Sequence, residues 1–83
     1  MTYKIEFSPI AQKQFDGLEK TIQERITASL ERIRVRPYDF VKKLSGYPYY
    51  RSRIGDYRLI LDIKNELLLV IVIEVGHRKN IYK

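Results

Sequence analysis

Tyr3, Ile5 and Phe7 alternate with Lys4 and Glu6, the two-residue period of a half-buried strand over 3–7. Ser8-Pro9 follows and reads as an N-cap and first helical position, where proline's missing N–H is no loss. Ala11, Phe15 and Leu18 fall at i, i+4 and i+7, predicting a helix that ends near Gly17–Leu18. Thr21-Ile22-Gln23-Glu24 has the capping-box pattern, so a second helix is expected to start at Thr21. Ile22, Ile26, Leu30 and Ile33 form its apolar stripe, and Pro37 stops it near Arg34–Arg36. Two such helices on a short link make an αα-hairpin.

The pattern then changes to β. Tyr49–Ile54, Tyr57–Ile63 and Leu67–Val75 are rich in Tyr, Ile, Leu and Val. Gly55-Asp56 separates the first two, and glycine at the first central position suits a type II′ hairpin turn. Lys64-Asn65-Glu66 is the polar break before the third strand. The run Leu67–Ile73 does not alternate, which predicts a central strand covered on both faces. The expected fold is α+β, in the order β-α-α-β-β-β: an N-terminal strand, a helical hairpin, then three antiparallel strands, in one mixed sheet packed on the helices.

A two-residue turn at Gly55-Asp56 fixes the hairpin register. Ile54 then faces Tyr57, Arg53 faces Arg58, Ser52 faces Leu59, Arg51 faces Ile60 and Tyr50 faces Leu61. Tyr50, Ile54, Tyr57, Leu59, Leu61 and Ile63 share the core face, while Arg51, Arg53 and Arg58 share the other. Like charges directly opposed destabilise a sheet, so folding alone gives no reason for this pair. Either the guanidiniums reach into water or they form a site.

Charge distribution sharpens that choice. The net charge is +6 over 83 residues, a length that predicts one domain over 1–83. Residues 1–33 balance, whereas 34–58 hold seven basic residues, including Lys42 and Lys43, against Asp39 and Asp56. The ending adds Arg78, Lys79 and Lys83. Two basic blocks fit a polyanion surface or a solvated face. There is no cysteine and one histidine, which excludes disulfides, thiolate zinc sites and cysteine nucleophiles. Acidic residues are too scattered for a metal cluster, and Gly46, Gly55 and Gly76 are isolated, so no glycine-rich phosphate loop is present. Neither a membrane span nor a secretory or transit leader is expected, which makes the cytoplasm the default compartment.

Guanidinium stays protonated and presents a fork that matches phosphate oxygens. It stabilises negative charge that builds on phosphate, but it is a poor base. Proton transfer must come from elsewhere, and the ending GHRKNIYK offers His77 and Tyr82. One helical turn would align Tyr82 with Arg78. Tyrosine can also stack on a base.

The segments YKIEFSPIAQKQFDGL, KKLSGYPYYRSRIGDYRLIL and VIVIEVGHRKNIYK resemble the RelE toxins of toxin–antitoxin pairs, in the wider RelE/ParE superfamily. Leu-x-Gly, an alternating basic strand and Gly-x-Tyr-Arg occur together in that family. The resemblance implies a metal-independent, cofactor-free ribonuclease that enters the ribosomal A site and cuts mRNA, and a RelB-like antitoxin as partner. It carries the family's strand cations onto Arg51 and Arg53, its arginine after Gly-x-Tyr onto Arg58, its post-strand arginine onto Arg78 and its terminal tyrosine onto Tyr82. RNA binding is expected at Arg51, Arg53, Arg58, Lys42, Lys43 and Lys79. Characterised RelE toxins carry lysine where this chain has Arg51 and Arg53, so His77 or Tyr82 takes on the proton transfer. The alternatives are a ParE-like, non-catalytic toxin that inhibits DNA gyrase and a plain RNA-binding module.

Overall fold

The computed structural model describes residues 2–77. Arg78, Lys79 and Tyr82 lie outside the described residues. The chain runs β1 (Lys4–Phe7), α1 (Pro9–Asp16), α2 (Lys20–Val35), β2 (Lys42–Lys43), β3 (Tyr50–Ile54), β4 (Tyr57–Lys64) and β5 (Leu69–His77). The strands form one sheet in the order β1-β5-β4-β3-β2. β1 runs parallel to β5 and the other pairs are antiparallel, which makes the sheet mixed as expected.

The first helix starts as the sequence predicts. Ser8 Oγ accepts from the Ala11 N–H at 3.1 Å and donates to the Ile73 carbonyl at 2.8 Å, so one hydroxyl caps α1 and ties it to β5. The second helix differs from expectation. Thr21 lies inside α2, whose N-cap is Glu19 without a side-chain cap bond. The chain turns helical directly after Leu18, and the Glu19 carbonyl already accepts from Ile22 and Gln23 N–H at 3.0 Å each. Gln23 Nε2 donates to the Phe15 carbonyl at 2.9 Å, which also accepts from the Leu18 N–H at 3.1 Å, and so ties α2 to the end of α1.

Both helices cover one face of the sheet. Ala11, Ile26, Leu30 and Ile33 meet Ile54, Leu59, Leu61, Val70, Val72 and Val75 in a buried cluster. Full burial of each large side chain is worth about 1.5–3 kcal/mol, so this layer is the main stabilising element.

The third predicted strand is corrected at its start and in its surroundings. Leu67 ends a 3-10 turn and Leu68 is left-handed at φ 49°, so β5 begins at Leu69. It is interior by hydrogen bonding, but only Val70, Val72 and Val75 are buried, while Leu69, Ile71 and Ile73 are half-exposed. The missing alternation therefore does not mark a strand covered on both faces, because the helices lie on one side alone. β2 was not foreseen: two residues are too few to show a period.

Candidate functional site: an arginine face on the uncovered side of the sheet

The hairpin register matches the one read from the sequence. Arg53 faces Arg58, Arg51 faces Ile60, and Ser52, buried on the core face, opposes Leu59. Gly55 holds φ +58° in the turn, a conformation side chains resist. A Cβ there would also stand 3.1 Å from Arg25 Nη2. The Arg25 tip is exposed and can give way, so it is the positive φ that makes the turn aligning the arginines need glycine.

Arg51, Arg53 and Arg58 share the face that the helices leave uncovered. Arg53 is exposed, and Arg51 and Arg58 are half-buried. The Nε of Arg58 is fully enclosed, which fixes the base of its guanidinium. Ile60, opposite Arg51 on this face, is 6% exposed and gives the arginines an apolar floor. Neither Arg51 nor Arg53 forms an ion pair with a described residue. Asp62 on the same face is engaged by Lys64 at 3.3 Å. The result is a concentration of positive charge with forked donors, suited to phosphate oxygens.

Two segments extend this face. Tyr38 Oη and Tyr3 Oη both donate to Asn65 Oδ1, at 3.0 and 2.8 Å, which pins the turn after α2 and lays β2 along β3. Lys42 is thereby placed opposite Arg51. Asp39, Phe40, Val41, Lys42, Arg51 and Arg53 line a cavity of about 340 Å³. A second cavity of about 410 Å³ is lined by Lys43, Leu44, Ser45, Tyr47, Arg51 and Arg58. Arg51 is common to both.

The other expected site residues fall differently. Lys43 opposes Tyr50 and its ammonium stands 5.3 Å from that ring's centroid, so its charge is directed to the tyrosine. His77 opposes Tyr57, with ring centroids 5.5 Å apart in an edge-on arrangement. Tyr57 and His77 lie on the same side of the sheet as Leu59 and Val75, opposite to the arginines. Gly76 is the residue that faces Arg58. Glu74 opposes Ile60, which puts a half-buried carboxylate on the arginine face. Sequence reasoning dismissed it only as a metal ligand and passed over it as an acid–base group. Phe40 and Tyr47 were missed altogether, although an aromatic in a Gly-Tyr-Pro loop beside a basic strand was a usable signal.

Known proteins share this fold and much of this sequence. A family model described as the ParE toxin of the type II toxin–antitoxin system parDE matches residues 5–82. The chain is 30% identical over 82 residues to the mRNA interferase toxin RelE of Escherichia coli (strain K12), covering 95% of this chain and 86% of that one. Its fold superposes on the crystal structure of the intact E. coli RelBE toxin–antitoxin complex with a TM-score of 0.81 at 29% identity, covering 90% of this chain and 95% of that one. For the archaeal RelE–RelB complex of Pyrococcus horikoshii OT3 the TM-score is 0.82 at 25% identity, with 96% and 99% covered. With its fold and nearly its whole length matched, this chain belongs to the RelE/ParE family of toxins from type II toxin–antitoxin systems.

Proposed function

We propose that the protein is a ribosome-dependent mRNA interferase, the toxin of a type II pair, acting in the cytoplasm where mRNA is translated. The observation that carries this reading is the opposed Arg53–Arg58 pair with Arg51 on one uncovered sheet face, in a chain 30% identical to a protein named as an mRNA interferase. The reaction that suits this set is transesterification of RNA. The ribose 2′-oxygen attacks the adjacent phosphorus and the bond from phosphorus to the next 5′-oxygen breaks. The 2′-hydroxyl loses a proton, the leaving 5′-oxygen gains one, and a 2′,3′-cyclic phosphate remains.

Arg51 and Arg53, with Lys42 and Lys79, hold the RNA backbone, and Lys43, turned to Tyr50, is left out of that set. Arg58 and Arg78 neutralise charge that grows on the phosphate in the pentacovalent transition state. Tyr82 stacks on or deprotonates the nucleotide at the cut. His77 is the alternative proton carrier, and its place against Tyr57, on the other side of the sheet from the arginines, favours Tyr82. No metal or cofactor enters this scheme. A RelB-like antitoxin is the proposed partner, as in the RelBE complexes that share the fold.

The ParE description of the matching family favours a second reading, a non-catalytic inhibitor of DNA gyrase. Primer extension on translated mRNA and a gyrase supercoiling assay, run side by side, separate the two. The expected result is mRNA cleavage without gyrase inhibition, and a loss of about 10²-fold or more in cleavage rate for Arg58→Ala. Inhibited supercoiling with intact mRNA overturns the interferase reading. Equal cleavage by Arg58→Ala removes Arg58 from the site.

A further inference from the structure

Two exposed aromatic side chains border the arginine face, and the scheme above gives neither a task. Tyr47 is 63% exposed and Phe40 is 44% exposed. Burial of rings such as these is strongly favourable, and among the exposed large apolar side chains these two line the cavities that hold the arginines. Their positions are held by the backbone. Gly46, at φ +80°, turns the chain so that Tyr47 lines the cavity it shares with Arg51 and Arg58. Phe40 follows the pinned 3-10 turn Pro37–Asp39 and lines the cavity it shares with Lys42, Arg51 and Arg53. The Arg32 guanidinium stands over the Phe40 ring, 5.9 Å from its centroid, which leaves the opposite face of that ring as the one for a base. Asp39 is the one acid in these linings and pairs with Arg36 at 3.7 Å.

The two cavities therefore repeat one design: an open aromatic ring, an arginine of their own, and Arg51 between them. Forked cations at the centre suit a phosphate, and flat apolar faces on either side suit bases splayed from a single strand. We propose that Phe40 and Tyr47 are stacking platforms for the two bases flanking the phosphodiester held at Arg51, which makes the arginine face a dinucleotide site for single-stranded RNA. The proposal rests on the RNA-cleavage reading and deepens it. Stacking of this kind tolerates any base, because every base has a π-face, so the site positions the strand without selecting sequence.

The test uses the full chain and a short single-stranded RNA that carries 2-aminopurine and a 2′-O-methyl group at the central step, which blocks attack by that oxygen. Binding should quench the fluorescence as the base stacks. Tyr47→Ala and Phe40→Ala should each weaken binding by about tenfold and reduce the quench. Tyr47→Phe and Phe40→Tyr, which keep a ring, should restore both. Unchanged denaturation midpoints show that the variants are folded, as their exposure predicts. Alanine variants that bind and quench like the wild type overturn the proposal, as does a wild type that binds without quenching or does not bind at all. Loss of antitoxin binding with RNA binding intact assigns the rings to a protein interface and also overturns it. Cleavage assays on the same variants keep the two readings apart. Quenching without cleavage by the wild type defeats the interferase and leaves the stacking site. Cleavage with an unchanged KM and quench in both alanine variants does the reverse.

Discussion

Arg53 and Arg58 are set directly across a β-ladder from each other, an arrangement that works against the hairpin. Like charges so placed cost about 0.2–1 kcal/mol, reduced by solvent around the exposed Arg53. Threonine is a good strand residue without the charge. Arg53→Thr is therefore expected to stabilise the fold by up to about 1 kcal/mol at low ionic strength. The gain should shrink as salt screens the pair, while mRNA cleavage falls. Urea denaturation at two ionic strengths measures the first part and primer extension the second. A destabilised variant would show that the opposed arginines support one another through contacts rather than repel. The sequence exposed this pair because a two-residue turn leaves one register, and glycine first in that turn removes most of the freedom to choose another. Phe40 and Tyr47 were hidden by comparison. Their importance depends on where irregular backbone brings them, and no period reports that.

Among the elements, α1 does more than cover the core. β1 ends at Phe7, paired with Val72, yet β5 runs on to His77. Along that stretch α1 and its cap stand in for the absent strand. The Ser8 N–H donates to the Val72 carbonyl at 2.9 Å, Ser8 Oγ donates to the Ile73 carbonyl, and Gln14 Oε1 accepts from the Val75 N–H at 2.7 Å. A register shift in the β4–β5 ladder between Ile60 and Leu61 occurs over the same stretch. Without these partners the end of β5, which carries Gly76 opposite Arg58, would have one free edge. Gln14→Ala leaves the part-buried Val75 N–H unsatisfied, at about 1–3 kcal/mol. The Val75 amide should then exchange faster by native-state hydrogen exchange, ahead of the amides of β4. Equal protection would mean that the ladder to β4 alone holds this end. Sequence patterns placed both helices and four of the five strands, because each has several residues in period. They misplaced the start of α2, since Thr21–Glu24 fits a capping box while the Glu19 carbonyl had already begun the turn. They also misread β5, whose half-exposed Ile71 and Ile73 look like core in a one-dimensional pattern.

Charge is distributed over the whole molecule as the fold requires for a polyanion partner. The helical segment 1–33 is balanced, and the excess of five positive charges in residues 34–58 is gathered mainly on the uncovered side of the sheet and along β2. Single-stranded RNA releases condensed counterions when cations neutralise its phosphates, and log K falls with log salt by about 0.7 per phosphate engaged. If Arg51, Arg53 and Arg58 each engage one phosphate oxygen set, they contribute a slope of about −2. Removing one by Arg→Ala should flatten it by about 0.7. Tyr47→Ala should weaken binding and leave the slope unchanged, since a stacked ring releases no counterion. Fluorescence titrations of a short RNA over a tenfold range of salt measure all of these slopes. A slope near zero in the wild type would mean that the arginine face does not meet phosphate, and the positive charge would then serve encounter with an acidic protein partner instead. A steep slope unaffected by any of the three arginines would move the RNA onto the remaining basic residues. The arginine face predicts neither, because its guanidiniums lie on one face and neither Arg51 nor Arg53 is ion-paired with a described residue.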